Sequence, residues 1–308
     1  MKSDRIAEVE RRTLRTFKLV NPTIRKYTKA DDIYEALRKR EGITLYNLGF
    51  EPTFFEGKTV LDAGCGTGDI SLIFADYGAQ VHGFDLNDVS VEHARFMADQ
   101  FELKAQTEFR HGTVYRPPFQ DEYDFVICRG VLPHVGDPEK AFNTLAERIA
   151  PGGYFYVSTI NTYGYILRAL KRVVVQLLAL GNPENVAHYA RVIWREHIRR
   201  AAKYGQRTEE QVTWDNFVAP HTTATIDEWL RWMENNNLEY ISSFPSFYSL
   251  KMPAAKTGGN ELMDTTLGFP RNEVKRKIMP ILAQLRWAMA FGVGGKASID
   301  FVCRRGGN

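Results

Sequence analysis

Cysteine is scarce in this chain. Cys65, Cys128 and Cys303 are the only three in 308 residues, and no two form a CxxC pair. That spacing excludes a disulfide framework, offers no structural zinc site and fits a reducing compartment. Long apolar runs are also missing. None approaches the roughly 18 residues that span a bilayer, and the opening segment MKSDRIAEVERRTLRTF has no apolar signal region. A soluble, cytoplasmic protein is the expectation. Charge of one sign is lacking too: the formal net charge is +3, so composition gives no reason to expect nucleic acid as a partner. Repeats and low-complexity tracts are absent. What is present, 44% hydrophobic and 25% charged residues, is ordinary for a globular protein with a real core. The length suits one large domain with additions, or two small ones.

Residues 1–56 read as helical and mixed in charge, a helical N-terminal cap. From Gly57 the pattern alternates. KTVLDAG, AQVHGFDL, TEFRHG, YDFVICRG and GGYFYVSTIN read as strands, separated by helices such as GDISLIFADYG and DPEKAFNTLAERI. Strands spaced by helices of about 10–15 residues predict a doubly wound, mostly parallel α/β sheet over residues 57–163. The alternation stops at 164–215, which reads as two long helices inserted as a lid. It resumes at 216–249, breaks again in a second insertion at 250–294 with Pro280 as a kink, and closes with a strand in 295–308.

Chemistry concentrates in TVLDAGCGTGD, residues 59–69. Gly64, Gly66 and Gly68 allow a tight turn and a close approach of backbone amides to a ligand at a helix N-terminus. The spacing is G-x-G-x-G, with Asp69 where the dinucleotide fingerprint G-x-G-x-x-G has its third glycine. Asp62, two residues before the first glycine, suits a cationic amino group better than a pyrophosphate. Asp85 ends the second strand, where a carboxylate can accept both hydroxyls of a ribose.

Four stretches in order, VLDAGCGTGDIS, VHGFDL, EYDFVICRGVLPHVGDPEKAF and IAPGGYFYVS, resemble the successive motifs of class I S-adenosylmethionine-dependent methyltransferases, and most of all the small-molecule enzymes similar to those of quinone biosynthesis. The resemblance covers about residues 57–163. It implies a Rossmann-like seven-stranded sheet and S-adenosyl-L-methionine as cofactor with S-adenosyl-L-homocysteine as product; no His, Asp and Glu cluster has ligand spacing in the sequence, so no metal is expected. It places Asp62, Gly64, Cys65 and Gly66 at the methionine end, Asp85 on the ribose, Leu86 against the adenine, Thr113 and Val114 at the adenine edge, and Arg129 along the methionine side. The family usually has Asp where this chain has Thr113, so the acceptor for the adenine amino group is weaker at that position.

His134 in GVLPHVGDP is the one histidine placed by motif in the loop after the fourth strand, and it is the candidate general base; a packing or capping role is the competing reading. His221 in APHTTAT is explained by capping. The cysteines read as small apolar fillers and the tryptophans as core. Segment 164–215 holds nine Arg or Lys against five Asp or Glu. Its stretch ILRALKRVVVQLLAL, within 164–181, fits either a lid packed on its own domain or a peripheral membrane contact. The acceptor is expected to be small or lipid-like. RNA or protein methylation, or cofactor binding without catalysis, are the alternatives. Acceptor contacts should come from 1–56, 164–215 and 250–294, which carry no readable motif.

Overall fold

The computed structural model describes residues 2–20, 27–205, 208–248, 273–290 and 298–307. Seven strands form where the alternating pattern places them: β1 (Thr59–Ala63), β2 (Gln80–Asp85), β3 (Thr107–His111), β4 (Tyr123–Arg129), β5 (Ile149–Ile160), β6 (Leu238–Phe244) and β7 (Ser298–Arg305). They make one sheet in the order β3-β2-β1-β4-β5-β7-β6. The first five are parallel to one another, and β7 runs antiparallel to both β5 and β6. The carboxyl ends of β1, β2 and β4 therefore open on one edge, and the order reverses at β1, where ligands of such sheets bind.

The helices are α1 (Lys2–Val20), α2 (Asp32–Leu48), α3 (Asp69–Asp76), α4 (Asp88–Gln100), α5 (Pro138–Ala146), α6 (Thr162–Leu178), α7 (Pro183–Ile193), α8 (Arg195–Gly205), α9 (Glu209–Thr213), α10 (Ile226–Asn235) and α11 (Glu273–Ala290). Each sheet face carries its own apolar core. On one, α5 and α10 bring Phe142, Trp229 and Trp232 onto Phe155 and Phe301. On the other, α2 to α4 bring Leu45, Phe74 and Met97 onto Val60, Val81 and Phe125. A fully buried side chain of this size contributes about 1.5–3 kcal/mol. Local signals set the helix starts: Thr225 and Glu228 form a capping box on α10, and Asp137 caps α5 through Lys140 N.

Segment 164–215 is not two long helices. Asn182 caps a fresh start at α7 after the turn at Gly181, and Trp194 leaves helical geometry before α8. A Thr208–Gln211 capping box then begins α9, which runs into a single π-turn at Trp214–Val218. The break at Asn182 falls between the two helices read from sequence; those at Trp194 and Thr208 divide what reads as continuous. These helices share an apolar cluster of their own, with Val175, Val186, Ile198 and Phe217 at its centre. Of 250–294, only α11 lies among the described residues. Pro280 sits inside α11 without ending it. Gln284 pins α11 to the core, accepting from Ile226 N at 3.0 Å and donating to Asp227 Oδ2 at 3.1 Å.

Candidate cofactor and methyl-transfer site

The loop after β1 is shaped by glycines at positive φ. Gly64 has φ +81°, and a Cβ there would lie 2.2 Å from Val131 Cγ2; at Gly68, φ +82°, it would lie 2.8 Å from Ala94 Cβ. Neither position accepts a side chain. Gly64 N and Cys65 N both donate to Phe84 O, tying the loop to β2. Gly66 N donates to Asp85 Oδ2 at 2.9 Å, and Asn87 N to Asp85 Oδ1 at 2.8 Å. Each Asp85 oxygen so keeps a lone pair for a further donor. Burial raises the Asp85 pKa, against the amides of Asn87 and Gly66.

A cavity of about 200 Å³ opens at this edge. Gly64, Gly66, Asp85, Leu86, Thr113, Val114, Arg129 and His134, eight residues singled out from sequence, line it together. Asp62 and Cys65 do not. Asp62 is buried behind the loop, where Ser71 Oγ donates to its Oδ2 at 2.6 Å. Burial pushes its carboxyl up to about 7, and the charges of Asp85 and Glu41 add to this. The Cys65 thiol is also buried, and burial raises its pKa well above the usual thiol range.

Arg129 pairs with Glu41 of α2, whose side chain is 2% exposed. Burial opposes the Arg129 charge, but Glu41 more than offsets this and the pKa is raised. The second oxygen, Glu41 Oε1, is buried with no hydrogen-bond partner.

His134 is fixed on both sides. Its Nδ1 lies 2.8 Å from Pro220 O, a contact that requires Nδ1–H to donate and, in the neutral ring, puts the lone pair on Nε2. Nε2 faces Asp215 Oδ1 at 3.5 Å. Phe17 meets the ring edge-on at 5.0 Å, and Thr13 Oγ1 donates to His134 O at 2.8 Å. His221 lies beside it, ring centroids 4.7 Å apart, and does not cap α10, a task that falls to Thr225. Arg172 Nη1 is 2.8 Å from His221 Nδ1, and the guanidinium also donates to Asn216 O and Ala219 O. Ligand atoms of His134, Asp215 and His221 lie within 4.8 Å of one another, a spacing that could hold a metal ion. The Arg172 cation against His221 opposes a second cation there.

Sequence reasoning named residues 1–56 as a source of contacts but none of the side chains that α1 brings to the cavity, Glu10, Thr13, Leu14 and Phe17. The signal was available: these positions follow an i, i+3, i+4, i+7 spacing and share one helix face. Glu41, Asp215 and Arg172 had no signal of spacing, because each meets its partner through tertiary packing alone.

Residues 34–243 match the sequence profile of a methyltransferase domain family. The chain belongs to that family, within the class I S-adenosylmethionine-dependent methyltransferases. It is 36% identical over 105 residues to a ubiquinone biosynthesis O-methyltransferase of Shewanella sp. (strain ANA-3), covering 34% of this chain and 44% of the relative. A ubiquinone biosynthesis O-methyltransferase of Thiobacillus denitrificans is 32% identical over 158 residues, 50% of this chain and 66% of the relative. The chain thus spans about half to two thirds of the length of these curated relatives. Among solved structures, PKMT2 from Rickettsia typhi in complex with AdoHcy aligns with TM-score 0.59 at 17% identity, over 92% of this chain and 55% of that one. At that identity the likeness speaks for the fold. The glycine loop, Asp85 and the segment around His134 all lie inside the matched range of this methyltransferase-family chain.

Proposed function

We propose that the protein is an S-adenosylmethionine-dependent methyltransferase acting on a small or lipid-like acceptor. The observation that carries this reading is the convergence of the glycine loop, Asp85, Arg129 and His134 on one cavity at the sheet's switch point. The residues fit the cofactor. Gly66 lines the cavity, and a Cβ there would meet nothing within 4 Å, so its bare backbone leaves room for a ligand. Asp85 would accept from the ribose hydroxyls, and Arg129 would face the carboxylate at the methionine end. Glu41, behind Arg129 and outside the cavity lining, would hold that guanidinium in place. Bound there, the cofactor supplies an electrophilic methyl carbon.

The chain's own task is to hold the acceptor in line and to take its proton. A hydroxyl oxygen is the acceptor class we favour, supported by the O-methyltransferase names of the curated relatives. The acceptor O–H proton would pass to His134 Nε2, and the resulting imidazolium would be stabilised by Asp215 while Pro220 O keeps the ring oriented. Positioning supplies the larger share of the rate. We read His134, Asp215, His221 and Arg172 as this proton-handling group and assign no metal to it. The three buried, unpaired cysteines support a reducing, cytoplasmic setting. Incubation of a metabolite and lipid extract with label-carrying cofactor, followed by mass spectrometry, should yield a labelled methyl ether; label in RNA or protein alone, or none, would oppose the reading.

The same proposal includes a peripheral contact with an anionic lipid surface through 164–181. On α6, Ile166, Leu167, Leu170, Val173, Val174, Leu177 and Leu178 are each at least 42% exposed and form one stripe. A lid packed on its own domain would have buried that stripe. The buried positions of α6 are instead Tyr165, Arg172 and Val175. α11, which packs against α6, adds exposed Val274, Ile278, Ile281 and Leu285. Lys171 borders the stripe, its Nζ 4.7 Å from the centre of the Trp194 ring. Among the described residues no helix is long and apolar enough to cross a membrane. Co-sedimentation with vesicles containing anionic lipid, lost in Leu170→Glu/Leu177→Glu, is expected; equal sedimentation of both proteins would count against the contact.

A further inference from the structure

We infer that Glu10, carried by α1, accepts the exocyclic amino group of the cofactor's purine. The inference rests on the cofactor reading above and adds to it a residue from outside the sheet. Two acidic side chains line the cavity, Asp85 and Glu10. Asp85 is held by the amides of Gly66 and Asn87 at the end of β2 and serves the ribose. Beyond it, Phe84, Leu86 and Val114 make an apolar slot suited to a flat ring. A purine placed there brings an N–H₂ donor that costs free energy if left unpaired away from water.

The groups nearest that end are already committed. Gly112 N donates to Asp85 O at 3.0 Å, and the Thr113 hydroxyl donates its proton to Glu10 Oε1. Thr113 thus acts as a bracket. It orients the Glu10 carboxylate at the adenine edge, and the charged group becomes the acceptor that a lone hydroxyl would replace only weakly. Glu10 does not sit on a loose helix. The α1 backbone at Ile6 approaches so near Gly136 that a Cβ there would lie 3.0 Å from Ile6 Cα. Thr13 bonds His134 O, and Lys18 pairs with Asp88 at 2.6 Å. The same helix that presses Phe17 on His134 thereby closes the purine end of the cavity.

Calorimetry with two ligands tests this: S-adenosylhomocysteine, and its analogue with hydrogen in place of the purine amino group. Deleting the amino group should weaken binding to the parent protein about ten-fold or more, as expected for a hydrogen bond to a charged acceptor. In Glu10→Ala the same deletion should cost less than about two-fold, and in Glu10→Gln, whose amide oxygen still accepts, an intermediate amount. Melting of the free variants reports on folding, and the Gln variant carries the comparison should the Ala variant fail to fold. An amino-group penalty equal in parent and variants overturns the assignment of Glu10 while leaving the cofactor reading intact. A parent protein that binds neither ligand overturns both.

Discussion

On the sheet side of the cavity, residues 64–68 and the ends of β1 and β2 are held by main-chain hydrogen bonds and by glycines with no room for a Cβ. On the helical side, one main-chain bond, Thr222 N to Pro133 O, joins a set of side-chain contacts from α1 and the segment from Asp215 to Thr222: Thr13 and Phe17 on His134, Asp215 on its Nε2, Arg172 on the turn that carries His221. The first construction depends on backbone geometry, which few sequences can provide. The second depends on side-chain pairs, which many sequences can. The cofactor end should therefore be intolerant of change, and the acceptor end adaptable.

The largest effect should come where the two constructions meet. His134→Asn keeps an N–H that can reach Pro220 O but removes the basic nitrogen facing Asp215. Turnover should fall roughly 10²-fold or more while affinity for S-adenosylhomocysteine stays within about two-fold. The parent rate should rise with pH through one ionisation that the variant lacks, since the base must begin unprotonated. Stopped assays across pH check both points; an unchanged profile would leave methyl transfer to positioning alone.

A smaller effect belongs wholly to the sheet side. Asp62 titrates near 7 when folded, against a usual value near 3.8, because burial disfavours its charge. The folded protein holds a proton that the unfolded chain has already lost, so stability falls as pH rises toward and through 7. Between pH 6 and pH 8 the loss should be about 1.4 kcal/mol. Asp62→Asn, which still accepts from Ser71, should flatten that part of the profile. Denaturant titrations at the two pH values measure it, and identical slopes for parent and variant would remove Asp62 as the cause.

The same contrast explains what the sequence made legible. The order of strands, the glycine loop and Asp85 could be read because each is a local constraint with a pattern: period two, period 3.6, or a glycine where φ must be positive. Eight of the ten residues named from sequence meet in one cavity; the glycines and Asp85 were legible for that reason, whereas Leu86, Thr113, Val114 and Arg129 came from the family resemblance. Asp62 and Cys65 belong to the same motif but turn behind it, since alternation along β1 and the loop decides which side a residue faces. Glu41 and Arg172 were invisible because their partners, Arg129 and His221, lie far away in the chain. The break at Asn182 was legible, since Gly181 and Pro183 stand there, but those at Trp194 and Thr208 were not. Thr208 acts by capping, and an apolar periodicity carries no record of a cap.

The central claim is that the backbone-built half of the cavity binds the cofactor, with Asp85 as its ribose acceptor. Calorimetric titration of the parent protein and Asp85→Ala with S-adenosylhomocysteine, alongside their melting curves, tests it most directly. The account predicts saturable one-site binding to the parent, at least ten-fold weaker binding to the variant from the loss of charge-assisted bonds to two hydroxyls, and little change in melting. Equal affinity in the two proteins, or no binding to the parent, would contradict it.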